Sequence, residues 1–124
     1  MARPPVILRI RRARIRAEVA HSFGSLLLGL MFRRRLAPDH GLLLRFPWAA
    51  NHTIHMLFVR FPLDLLFIRP DATIARIHQG RPGLHFYRAG QSVKSVLELN
   101  AGFCRRHGLA AGDRVRTTRE ARTG

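Results

Sequence analysis

The stretch Phe61-Pro62-Leu63-Asp64-Leu65-Leu66-Phe67-Ile68 decides how the chain is read. After Pro62 comes a short run that is apolar at alternate and at intervening positions, the pattern of a strand covered on both faces. Asp64 is its one charge. Pro70-Asp71 then supplies turn chemistry, and Thr73 to Ile77 reads as the hairpin partner. A strand buried on both sides requires further strands beside it and apolar layers above and below.

Those strands can be found on either side. From Arg12 to Ala20 the chain alternates strictly, with Ala13, Ile15, Ala17 and Val19 on one face and Arg12, Arg14, Arg16 and Glu18 on the other, a half-exposed strand. Leu42 to Phe46 reads as a short strand stopped by Pro47, with Trp48 to Asn51 as a loop. Thr53 to Phe61 is β-branched and aromatic. Residues 79–91, with Gly80, Pro82, Gly83 and Gly90, read as a long irregular loop. Ser92 to Leu99 and Arg114 to Thr118 complete about seven strands. Two helices are expected. Ser22 caps the first, whose stripe is Phe23, Leu26, Leu27, Leu30 and Met31, closed by Arg33-Arg34-Arg35; Asn100 caps the second, over Ala101 to His107, stopped by Gly108. The expected class is α+β, a compact, mostly antiparallel, barrel-like sheet with two short helices. Residues 1–11 are read as an extended basic leader, 12–118 as a single domain and 119–124 as a polar tail.

With 124 residues and 47% apolar content, the chain can bury a core without staples. Its longest apolar run is Leu26 to Phe32, far short of the roughly 20 residues of a membrane span. Val6-Ile7-Leu8 gives way to arginines, so no export signal is read and a cytoplasmic location is expected. The single cysteine, Cys104, excludes an internal disulfide and a cysteine-based zinc site.

The charge is +15, from 22 basic and 7 acidic residues, and every basic residue but Lys94 is arginine. Residues 1–35 carry nine Arg and one Glu (+8), residues 36–100 seven basic and four acidic (+3), and residues 101–124 six Arg and two acidic (+4). The basic ends suggest phosphate contacts, Arg12, Arg14 and Arg16 above all. Such binding would be weak, salt-sensitive and independent of sequence, since no recognised nucleic-acid module is present.

Four blocks together resemble a known family. They are Gly29-Leu30-Met31-Phe32-Arg33 with Leu36, then His55-Met56 through Phe61-Pro62-Leu63-Asp64 to Phe67-Ile68, then Val96-Leu97-Glu98-Leu99-Asn100-Ala101-Gly102, and last Gly108-Leu109 with Gly112-Asp113. The chain is similar over residues 12–118 to the bacterial and archaeal family called domain of unknown function 192. The resemblance implies a compact, sheet-rich domain and no established reaction. Many relatives carry Trp where His55 stands and Lys-Asn-Thr where Leu57-Phe58-Val59 stand, so a patch polar in them is expected to be apolar here.

Asp64 has two readings: a buried tie between a helix end and the sheet, with Arg33 or Arg60 as partner, or a perturbed carboxylate in a ligand cleft. Glu98, between Leu97 and Leu99, has the same profile. His52 and His55, three apart, would point to opposite faces of a strand, which disfavours direct chelation; a site recruiting His78 or His85 is the remaining metal option, and no metal or cofactor is called for. Cys104 beside Phe103 reads as packing. No nucleophile elbow, phosphate loop or dinucleotide fingerprint occurs. The expected function is therefore binding of an unidentified small molecule or protein, with no assignable reaction. The residues expected to line the site are Asp64, Arg33, Met31, His55, Met56, Trp48 and Glu98. The alternatives are a small hydrolase-like enzyme using Asp64 or Glu98, and nucleic-acid binding through the arginine-rich ends.

Overall fold

A computed structural model describes residues 5–22, 24–25, 30 and 33–119. Nine strands are placed in it: β1 (Val6–Ile10), β2 (Ala13–Ala20), β3 (His40–Ala50), β4 (Ile54–Met56), β5 (Leu63–Ile68), β6 (Ile74–Gly80), β7 (Gly83–Tyr87), β8 (Val93–Asn100) and β9 (Val115–Arg119). Between β8 and β9 lies one helix, α1 (Phe103–His107). Seven strands form a single sheet in the order β6-β5-β8-β3-β2-β1-β9, and β4 and β7 form a separate ribbon. All pairs are antiparallel except β2 with β3, which run parallel.

The expected α+β class with two helices is corrected by this architecture. The described residues are mostly β, 55% in strands and 7% in helix, with the sheet curled into a half-barrel. Three local causes account for the difference. The helix expected over Ala101 to His107 starts only at Phe103, because Gly102 is its N-cap in a left-handed conformation, while the Asn100 side chain is engaged elsewhere, with the backbone of Leu36. Residues 79–91 hold the end of β6 and all of β7; glycine and proline there mark the turn between two strands, with Gly83 at φ 112. The expected strand end at Pro47 is passed by β3, which continues to Ala50 through a register shift between Arg45 and Ala50, where a proline costs no ladder hydrogen bond. Most of the stretch expected to form the first helix, Phe23, Leu26, Leu27 and Met31 included, lies outside the described residues. Of the expected strand Thr53 to Phe61 only Ile54–Met56 pairs, and Phe58 turns the chain at φ 68.

The sheet has two apolar faces. One cluster joins Leu8, Ile10 and Val115, at the β1 and β9 end, to Ile68, Leu66 and Ile74, at the β5 and β6 end. A face that brings both edges of a sheet into contact is its concave side. Phe103, Cys104 and Leu109 plug it. The edges are also stitched through the backbone: Val115 N donates to Ala72 O (2.7 Å), Gly112 N to Ile74 O (2.7 Å) and Ile74 N to Asp113 O (2.9 Å). On the convex side, Leu42, Leu44, Leu63, Leu65, Phe67 and Val96 pack under Leu30, Leu36, Ile54, Met56, Val59 and Phe61. β5 is therefore buried at all six positions, as its double-sided apolar pattern leads one to expect. Val6–Ile10, assigned from sequence to the leader, pairs with β2 and with β9.

Candidate functional site

Cross-strand register fixes where the two buried carboxylates point. Leu65 stands opposite Glu98, and Asp64 stands opposite Leu99. Directly opposed residues share a face and successive residues alternate, so Asp64 and Glu98 project from opposite sides of the sheet. Asp64 joins the concave layer and Glu98 the convex one. Both are almost sealed from solvent, at 2% and 1% exposure. They cannot meet at one substrate.

Asp64 Oδ2 accepts the backbone N–H of Cys104 at 3.0 Å. The first N–H groups of a helix have no partner within it, and Gly102 has no side chain to supply one. β5 thus caps α1 from outside the helix. Burial pushes the Cys104 thiol up to about 12, and the adjacent Asp64 charge adds to the shift. Glu98 lies between Leu65 of β5 and Leu42 of β3. Burial pushes its carboxyl up to about 8, so it is neutral at pH 7.

The other residues expected at the site are dispersed. Arg33 Nη2 lies 3.6 Å from Glu18 Oε1, a residue of the convex face, and so stands away from Asp64. Met56 is buried in the convex layer. His55 Nδ1 accepts the Leu57 N–H at 3.3 Å, and its ring meets Phe86 edge-on. Trp48 is 65% exposed, as are Phe58, Leu84 and Phe86 to similar degrees. Met31 is outside the described residues. His52 stacks on Phe46 and lies 2.9 Å from the Trp48 carbonyl, whereas His78 reaches the Arg88 carbonyl at 2.8 Å. Among the described residues no three His, Cys, Asp or Glu side chains converge as a metal site would require.

Accessible polar groups gather elsewhere, in a cleft of about 240 Å³ where the half-barrel stays open. Its apolar lining includes Leu8, Leu43, Ile68 and Val115; its polar lining is Arg45, Arg69, Lys94, Ser95 and Thr117. Arg45 and Ser95 are cross-strand partners on β3 and β8. Arg69 is held by Gln91 Oε1 (2.7 Å), Thr73 Oγ1 (3.1 Å) and the Ile74 carbonyl (3.2 Å). Lys94 Nζ donates to the Pro47 carbonyl (2.8 Å), which leaves two of its three protons for other acceptors. Arg45 has no hydrogen-bond or carboxylate partner among the described residues. No acid lines the cleft. The sequence carries one sign of this site, a lone cation inside the apolar run Leu42-Leu43-Leu44-Arg45-Phe46.

Residues 6–117 match the model of the DUF192 family, described as an uncharacterized group. The chain belongs to the DUF192 family. It is 27% identical over 111 residues to a UPF0127 protein of Pyrococcus furiosus, which spans 88% of this chain and 92% of that one. Two solved structures are similar to this DUF192 protein. One, described as a proposed transcription regulator from Sinorhizobium meliloti 1021, has a TM-score of 0.87 and 34% identity over 94% of this chain and 96% of its own. The other, a protein of unknown function from Novosphingobium aromaticivorans, has a TM-score of 0.80 and 28% identity over 90% and 83%. None of these descriptions names a reaction. Among the described residues of the DUF192 chain, no helix is long and apolar enough to cross a membrane.

Proposed function

We propose that this DUF192 protein is a cytoplasmic binding domain, not a catalyst, and that its cleft takes a small anionic molecule with an apolar portion. The observation that carries this reading is the cleft lining, three cations and no acid around an apolar floor, with Arg45 unpartnered among the described residues. Ligand sites combine mostly apolar walls with a few converging polar groups, and a guanidinium matches carboxylate or phosphate geometry in two parallel hydrogen bonds. The hydrolase alternative loses support because Asp64 and Glu98 lie on opposite faces, each shut away from water.

Calorimetric titration with phenyl phosphate, inorganic phosphate and phenol separates the two contributions to binding. Phenyl phosphate is expected to bind more tightly than either probe that keeps only its charge or only its ring. Arg45→Gln is expected to weaken it at least tenfold, since a hydrogen bond to a charged group contributes about 1.5–3 kcal/mol. Equal affinity of wild type and Arg45→Gln, or no binding up to about 10 mM, below the weakest useful affinity, would overturn the assignment.

A further inference from the structure

The convex face of the sheet is covered only in part. Over β5, β8 and β3 it carries the second apolar layer, whereas over β2, β1 and β9 it presents arginines. Register sets Arg14 opposite Arg9 and Arg9 opposite Arg116, so three arginines on three successive strands form one row. Neighbouring strands lie about 4.8 Å apart, and residues two apart along a strand about 7 Å. Arg16 follows Arg14 at that distance along β2, and Arg12 precedes it in the β1–β2 turn. All five are exposed.

Among the described residues no carboxylate answers the row Arg9, Arg14 and Arg116. Glu18, at the margin of this face, is already beside Arg33, and Asp113 is held by Arg11 at 2.8 Å. Arg9, Arg12, Arg14 and Arg116 have no carboxylate partner among the described residues. Like charges placed directly opposite on neighbouring strands destabilise a sheet. A composition rich in arginine accounts for their number but not for their alignment in one row.

We propose that this face binds the phosphodiester backbone of duplex nucleic acid. Guanidinium groups bind phosphate in a bidentate fork, and the row crosses three adjacent strands of the sheet, β2, β1 and β9. Strands β1, β2 and β9 contain no aromatic residue. Single-strand binding relies on aromatic side chains for base stacking, so the face suits a paired backbone read by charge alone. The surface is distinct from the cleft at Arg45, and either can fail without the other.

The test is fluorescence anisotropy with a labelled duplex of about 20 base pairs, repeated with the matching single strand and with polyglutamate, across a salt series. The triple variant Arg9→Gln, Arg14→Gln, Arg116→Gln is expected to bind the duplex at least tenfold more weakly at about 100 mM salt. Its salt slope should fall by about 3, since each lost phosphate contact removes about 0.9. A control triple with the same charge change, Arg81→Gln, Arg88→Gln, Arg105→Gln, should stay within about threefold of wild type, and lysine at positions 9, 14 and 116 should keep the slope. Equal weakening by both glutamine triples would reduce the effect to net charge and overturn the proposal. So would the absence of duplex binding, or binding of the single strand or polyglutamate that is as tight and as dependent on the row.

Discussion

Asp64 of β5 caps α1 by accepting the Cys104 N–H at 3.0 Å, a contact between residues 40 positions apart. It converts the only charge in a doubly buried strand into a fastener between the sheet and the plug of its concave side. Removing the acceptor leaves a buried N–H unpaired, which costs about 1–3 kcal/mol on top of lost packing. Asp64→Ala is therefore expected to lose about 2–4 kcal/mol in urea unfolding. Asp64→Asn keeps a carbonyl oxygen for Cys104 and should lose less. Equal losses in the two variants would show that the capping bond is not what Asp64 contributes.

Glu98 gives stability a pH dependence of known sign. Its carboxyl is pushed up to about 8 in the fold but titrates near about 4.3 in an unfolded chain. Between those values the unfolded chain has released the proton that the folded one holds. Its contribution is complete below about pH 4.3 and is lost as pH rises through about 8, by at most about 1.4 kcal/mol per pH unit. Urea unfolding of Glu98→Gln from pH 5 to 8 should show a flatter profile than wild type. Parallel profiles would contradict the neutral, buried state of Glu98.

Cys104 should be inert in the folded protein. A thiol pushed up to about 12 holds almost no thiolate at pH 8, and the thiolate is the nucleophile. Native protein is expected to resist an aromatic disulfide reagent and to react fully once unfolded. Rapid labelling of the native protein would place the thiol in a different setting.

Gly41 marks a close approach between β3 and its neighbours. A Cβ there would lie 2.8 Å from Leu99 Cδ2 and 3.1 Å from the Glu98 carbonyl. Gly41→Ala is expected to cost about 1–3 kcal/mol by overpacking, measured by thermal unfolding. An unchanged midpoint would mean that the strands can part without loss.

Much of the sheet is legible because its periods are clean. Ala13–Ala20 buries alternate residues as its pattern requires, and the turn at Pro70-Asp71 joins β5 and β6, with Asp71 Oδ1 accepting the Thr73 N–H at 3.0 Å. Val6–Ile10 is too short, and too close to a run of arginines, to display a period of its own. Gly83–Tyr87 is mostly exposed and pairs only with three-residue β4, so its glycine and proline neighbours outweigh its strand signal. The candidate site depended on what local sequence does not carry. Whether Asp64 and Glu98 face each other is decided by the register of β5 against β8, and Arg45, Lys94 and Arg69, on or beside the adjacent strands β3, β8 and β5, share a cleft with Leu8 and Thr117 of β1 and β9 only because the sheet curls.

The cleft is tested most directly by mapping backbone amide shifts in ¹⁵N NMR spectra as phenyl phosphate is added. The largest changes are expected at Arg45, Ser95, Ile68 and Thr117, and they should vanish in Arg45→Gln. Shifts confined to the Arg9, Arg14 and Arg116 row, or a spectrum unchanged at saturating probe, would contradict a ligand site in the cleft.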